Sequence, residues 1–275
     1  MRRHSAIVAV VAAAALAVFG VSVSDVRAAE APPDLAALQA MEPAAGPQIP
    51  FAVEKRAEAV RLAALGFGAR AGLARRAWEI AAMLDRHARE LDAIYRFGPL
   101  MLREHGFAVL PPVLAETRRA FRLARGGGRA ASAARVLRIV EPARLASAVP
   151  GWRDWLPRAW PEAAPPASVL FPRDGEEAAR WKRMLAEGWA EGQELAEDIF
   201  AGDLDRLNRT FEGIVLWHRL NRASMVTAPA LEVAEAGVSG HERLMRIGTA
   251  SARIDRPARF ALDARRWAPP SGDLP

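Results

Sequence analysis

The chain has 275 residues, half of them apolar and a quarter charged, a composition that permits a sizeable core and excludes a disordered polymer. It contains no cysteine, which excludes disulfides, thiolate metal sites, a cysteine nucleophile and a lipid-modified N-terminal Cys. The net charge of +6 rests almost wholly on Arg, only Lys55 and Lys182 being Lys, and these Arg residues read as spread along helices among Glu and Asp. That is the pattern of solvated faces rather than of a nucleic-acid groove.

Residues 1–28 have the three parts of a secretory signal: Arg2, Arg3 and His4, an uncharged Ala/Val-rich run from Ile7 to Val23, and Val26-Arg27-Ala28 as the cleavage tail. Cleavage after Ala28 places the remainder in the periplasm. The competing reading is an uncleaved anchor, for which the run is marginal against the ~20 residues a spanning helix needs. Residues 29–50 are a Pro/Ala-rich linker with one helical turn expected over Leu35 to Met41. Residues 51–275 read as a single domain.

From Glu54 to Tyr95 the pattern is helical. Leu73, Ala77, Ile80, Leu84, His87, Leu91 and Ile94 recur at spacings of four and three and share one face. Gly66, Gly68 and Gly72 predict either a break near Gly66-Phe67-Gly68 or a close helix contact with no side chain between. Val109 to Leu114, split by Pro111-Pro112, reads as extended or turn. Helix is expected again over Thr117 to Leu123, ending at Gly126-Gly127-Gly128, and Val136 to Val140 reads as a strand. Trp152, Trp155 and Trp160 follow in a Pro-bounded stretch that reads as a short helix and a packed loop.

After Pro172 two amphipathic helices are expected, broken at Ala201-Gly202, with Asp174 capping the first and Asp203 the second. The first buries Trp181, Leu185, Gly188, Gly192, Leu195 and Ile199. The second buries Leu207, Phe211, Ile214 or Val215, and His218. Beyond Pro229, short segments around 231–238, 244–247 and 250–254 read as β-hairpin pieces. The fold class is α+β and mainly helical: long amphipathic helices with a small antiparallel β-sheet towards the C-terminus.

Catalytic chemistry is not legible in the chain. His87 and His218 fall on apolar stripes, where an imidazole is ordinarily a core residue with one hydrogen bond. His241-Glu242 lacks the second His of a zinc-protease helix. Ser239 has Gly237 two residues before it, but His241 stands where a nucleophile elbow needs its second Gly. The carboxylate pairs Glu54/Glu58, Glu176/Glu177 and Glu187/Glu191 sit among Arg at salt-bridge spacing, as on solvated helix faces. No catalytic, cofactor-binding or metal-ligating set is assigned.

Eight Trp stand against one Tyr. Most are expected to pack in the core, while Trp152 and Trp155 lean towards an interface, where aromatic anchors dominate binding. Trp152, Trp155, Trp189 and Phe211 are the candidate interface or fold anchors.

The run from Trp181 to Leu231, with Gly188-Trp189, Gly192, Phe211-Glu212-Gly213-Ile214 and Met225-Val226, resembles the DotC family, called TraI in IncI-type conjugation systems. The likeness extends over about Ala57 to Pro269. It takes in the Gly66 to Ala74 stretch with Asp92 to Tyr95, Leu110 to Glu116, Pro150 to Leu156 and Arg265 to Pro269. The resemblance implies a structural subunit of the outer-membrane core of a type IVB (Dot/Icm-like) secretion or conjugation machine. Its implied partners are DotD-like and DotH-like subunits in a ring-forming hetero-oligomer, with no active site, no cofactor and no direct nucleic-acid binding. Family members are described as lipoproteins. Without a Cys, this chain would reach the outer membrane through its partners or an uncleaved N-terminus. The alternative to a scaffold is a free periplasmic binding protein or enzyme, which would need a cleft with convergent polar groups.

Overall fold

The computed structural model describes residues 31–42, 53–123, 130–241 and 243–268. The signal segment and the Gly126-Gly127-Gly128 loop lie outside the described residues. In chain order the elements are α1 (Leu35–Ala40), α2 (Val53–Arg86), α3 (Ala88–Ile94), β1 (Leu102–Glu104), β2 (Phe107–Leu110), β3 (Val113–Leu123), β4 (Ala130–Glu141), β5 (Arg144–Ala146), α4 (Gly175–Arg222), β6 (Ala230–His241) and β7 (Leu244–Arg256). The mainly helical α+β class holds, with three small antiparallel sheets among the described residues: β1-β2-β5, β3-β4 and β6-β7. Only the last is the C-terminal sheet. The chain divides into two compact units, one formed up to Arg89 and over Leu156–Asp203, the other from Glu90–Trp155 and Leu204 onward.

The first unit is built on α2 and the first half of α4. Both sequences are rich in Ala, Leu, Glu and Arg, the strongest helix formers. Asp174 caps α4 as expected, its Oδ1 accepting from the Glu177 amide at 2.8 Å, with Glu176 and Glu177 in the first turn and Arg219 and Arg222 in the last, where each sign suits the helix dipole. No break occurs at Gly66-Phe67-Gly68; Gly68 and Gly72 serve the other expected purpose, close contact, while Gly66 does not. A Cβ on Gly68 would lie 2.2 Å from the Leu185 carbonyl oxygen, one on Gly72 2.3 Å from that of Trp189, one on Gly188 2.1 Å from that of Leu65 and one on Gly192 2.0 Å from that of Ala69. Four glycines, two per helix and each pair one turn apart, let α2 and α4 run in the same direction with their backbones touching. Around this seam pack Val60, Ala64, Phe67, Ala71, Phe171, Trp181, Leu185 and Trp189, with Leu38 of α1 closing the cluster.

The expected break at Ala201-Gly202 is absent: α4 is one helix of 48 residues. A lone glycine costs only ~1 kcal/mol in a helix, which the strong formers on both sides outweigh. Gly202 is exposed, with nothing within 4 Å of where its Cβ would be. Asp203 is therefore not a cap. It is buried, and its carboxylate is paired with the Arg158 guanidinium through both oxygens. The face starting at Leu73 is buried through Ala77, Ile80 and Leu84, then stops, because α2 ends at Arg86 and His87 sits exposed at the turn before α3. His87 is not the core histidine that its place on the stripe predicts.

Within the second unit, Thr117 to Leu123 forms part of β3 and not a helix. Arg and Ala favour helix locally, but the pairing with β4 is non-local, running in one register from Leu114↔Ile139 to Leu123↔Ala130. The segments expected beyond Pro229 form one continuous ribbon, β6-β7, paired from Ala230↔Arg256 to His241↔Leu244. The core of this unit joins Leu114, Trp217, Leu220, Val226 and Ala258, with Leu137, Ile139 and Phe260 packed against it.

Candidate interaction surfaces

Three of the four expected anchors, Trp152, Trp155 and Phe211, lie in the second unit. Phe97 is buried between Trp155, stacked at 5.4 Å between ring centres and 9° between planes, and Phe211, which meets it edge-on at 5.2 Å. Tyr95 adds an edge contact to Phe211 at 5.6 Å and donates a hydrogen bond to Asn208 at 2.6 Å. Trp152 opens a short 3-10 turn three residues before Trp155 and is fully buried, its indole N–H donating to Asp92 at 2.7 Å. Arg153 donates to the same carboxylate at 2.7 Å and lies 4.2 Å over the Trp152 ring. These two donors, Arg153 first, hold the Asp92 carboxyl below its ordinary range. The separated stretches ending at Tyr95 and running from Pro150 to Leu156 thus lock together. Trp189 stands apart in the first unit, where its backbone forms the helix seam.

The other charged positions also resolve. Glu177 is no free surface group: with both oxygens it accepts from Arg56, at 3.0 Å each. Arg56 is 6% exposed and also donates to the carbonyls of Val169 and Phe171, at 2.7 and 3.0 Å. The Arg56 hydrogen bonds hold the Glu177 carboxyl below its usual range. Glu191 departs from the solvated-face reading too, since its Oε2 is buried without a partner. His218 matches its expectation: a half-buried ring whose Nε2–H donates to the Leu100 carbonyl at 2.9 Å, with burial lowering its pKa. His241 closes strand β6, exposed. Among the described residues no group of His, Cys, Asp and Glu is placed to hold a metal ion.

A concave feature of this unit lies where β3 and the end of β4 meet α4. It is an open groove of about 880 Å³. Gly213 brings the helix onto the strand, its absent Cβ standing 2.5 Å from Val113 Cγ1 and 2.7 Å from the Leu114 carbonyl. The floor is apolar, from Val113, Leu114, Val140, Phe211, Val215 and Leu216, and the rim carries Arg206, Arg209 and Arg219 with Glu116, Glu141 and Glu212. A second depression continues from it, sharing Glu116 and Arg219 and reaching Trp267.

The β3-β4 ribbon rises from that groove. Its root packs on the core through Leu114, Leu137 and Ile139, but Thr117, Arg118, Arg119, Arg135, Val136, Arg138 and Val140 are exposed. Both of its faces therefore meet solvent. Glu116 accepts from Arg135 at 2.9 and 3.1 Å and from Arg118 at 3.0 Å, which lowers its pKa. Between Thr117 and Val140 the sequence has seven Arg (118, 119, 122, 125, 129, 135 and 138) and no acidic residue. The reading of evenly spread Arg fails here. The signal is an acid-free run, hidden because the segment reads as a helix followed by a loop.

The described residues thus combine helices meshed along a backbone seam, an aromatic cluster and two β-ribbons that pair with no third strand among them. The chain is a member of the TraI family of type IV secretory systems, the family of conjugal DNA-protein transfer, whose profile matches residues 54–269. No curated protein matches the sequence.

Proposed function

We propose that this chain is a non-enzymatic structural subunit of a type IVB (Dot/Icm-like) secretion or conjugation apparatus. It is exported to the periplasm and assembles with DotD-like and DotH-like subunits in an outer-membrane core complex. Family membership supports the secretion role. The observation that carries the structural role is the pair of two-stranded ribbons, β3-β4 and β6-β7, neither pairing with a third strand among the described residues. A two-stranded ribbon is marginal in water and leaves two unpaired backbone edges, a liability that proteins cover with another element or chain. Strands of 11 to 13 residues are long for that role, since typical strands have about 5 or 6. Head-to-tail contacts between different surfaces of successive subunits close into rings, and such ribbons supply them.

The test is affinity capture of the tagged chain from detergent-solubilised envelopes, with mass spectrometry of the co-purifying chains. DotD- and DotH-like subunits in one large particle are expected. A monodisperse, partnerless monomer refutes the proposal and returns the search to a free binding protein or enzyme.

A further inference from the structure

We infer that the root of the β3-β4 ribbon and the groove beside it take an extended, acidic segment of another protein, bound as a third strand. The inference rests on the assembly reading and names the chemistry of one partner surface. Three observations converge on it. Neither edge of the ribbon pairs with a third strand among the described residues, so an incoming strand can complete a hydrogen-bond ladder. The groove floor is apolar and lies against the same strands, so every second side chain of an extended segment can be buried there. The charge is predominantly basic: Arg119, Arg138, Arg209 and Arg219 have no ion pair among the described residues, Arg118 and Arg135 share the single carboxylate of Glu116, and only Glu141 and Glu212 of the rim stand against them.

A partner with alternating apolar and acidic residues satisfies all three at once. A nucleic acid would use the guanidinium groups but leave the apolar floor uncovered. A second copy of the same surface would set Arg against Arg. Electrostatic complementarity of this kind chiefly raises the association rate and rejects wrong partners, while the buried apolar positions hold the complex together.

The experiment is fluorescence anisotropy on the purified chain with labelled peptides of about twelve residues, the span of one long strand. One alternates Val and Glu, one Val and Lys, one Ser and Glu; a single-stranded oligo-dT is the fourth probe. The Val/Glu peptide is expected to bind at least about tenfold more tightly than Ser/Glu, with no binding of Val/Lys. Arg119→Glu/Arg138→Glu/Arg209→Glu should abolish it, and the milder Arg138→Gln should weaken it several-fold with an unchanged melting curve. Equal binding of Ser/Glu and Val/Glu, tighter binding of oligo-dT, or no binding of Val/Glu each overturns the inference. Envelope capture with the wild-type chain separates the two proposals. A particle with DotD- and DotH-like subunits beside a failed peptide titration sinks only this inference, whereas no particle at all sinks the assembly reading.

Discussion

Gly192→Ala should destabilise the protein while Gly202→Ala, ten residues on in the same helix, should stabilise it. Both changes gain helix propensity worth ~1 kcal/mol. At Gly202 nothing opposes that gain, since open space surrounds the added methyl. At Gly192 the methyl meets the Ala69 oxygen at 2.0 Å, the Leu73 nitrogen at 2.8 Å and the Ala69 carbonyl carbon at 2.9 Å. All three are backbone atoms, so no rotamer change can relieve the clash. The closest tolerable C···O approach is about 3.3 Å, so the helices must part locally by roughly 1 Å and lose contacts along the seam. Overpacking of this sort costs about 1–3 kcal/mol. With backbone on every side the upper end applies, leaving a net loss of about 2 kcal/mol after the propensity gain. The two variants should therefore differ by about 3 kcal/mol in urea denaturation followed by circular dichroism at 222 nm. Shifts of the same sign and size would refute the backbone-contact account of the seam.

Other expectations follow from the buried charges and the aromatic cluster. Arg56→Met strands the Glu177 carboxylate and two carbonyls and should cost about 2–3 kcal/mol, less than a fully buried pair because Glu177 is partly exposed. Its pH dependence has a definite sign. The folded Glu177 pKa is depressed, so its contribution is present above the unfolded value of about 4.3 and is lost as pH falls through the folded value. Acid titration of the melting temperature should flatten below that value in Glu177→Gln. His218 is half-buried with a lowered pKa, so its folded ring favours the neutral form. Stability is complete above the ordinary value of about 6.5 and declines as pH drops below it. His218→Gln should remove that decline in melts between about pH 5 and 7. Phe211→Ala removes an edge contact to both Phe97 and Tyr95 and, for a half-buried ring, should cost about 2–3 kcal/mol in the same denaturation assay.

Much of the helical architecture is legible because it is local. Asp174 as a cap, the short helix over Leu35–Ala40 and the buried positions Trp181, Leu185 and Gly188 follow from spacing and capping chemistry alone. Expectations fail where a long-range partner decides. Asp203 has the sequence of a cap, yet Arg158, distant in the chain, takes its carboxylate. Thr117 to Leu123 is helix-prone alone and becomes strand because Ala130 to Val136 lies beside it. The glycines can be read two ways, and only their placement opposite each other chooses between break and contact. Of the aromatic cluster, the sequence points to Trp155 and Phe211 but not to Phe97, the ring between them, which nothing but its neighbours distinguishes. The groove is invisible for the same reason, since it joins β3, which reads as turn and helix, to the end of β4, which reads as strand, and to a helix far along the chain.

The glycine seam also works as a lock made of missing atoms. Because the four positions contribute no side chain, nothing there has to choose a rotamer, and the contact forms without the ordering cost that larger residues carry. The same emptiness fixes register. Sliding α4 by one turn along α2 would put Ala196 in the place of Gly192 or Met184 in the place of Gly188, each bringing a Cβ against backbone, so the helices mesh in one setting. Substitutions on the outer faces of either helix leave that setting untouched, whereas a single methyl group at the seam forces the backbones apart.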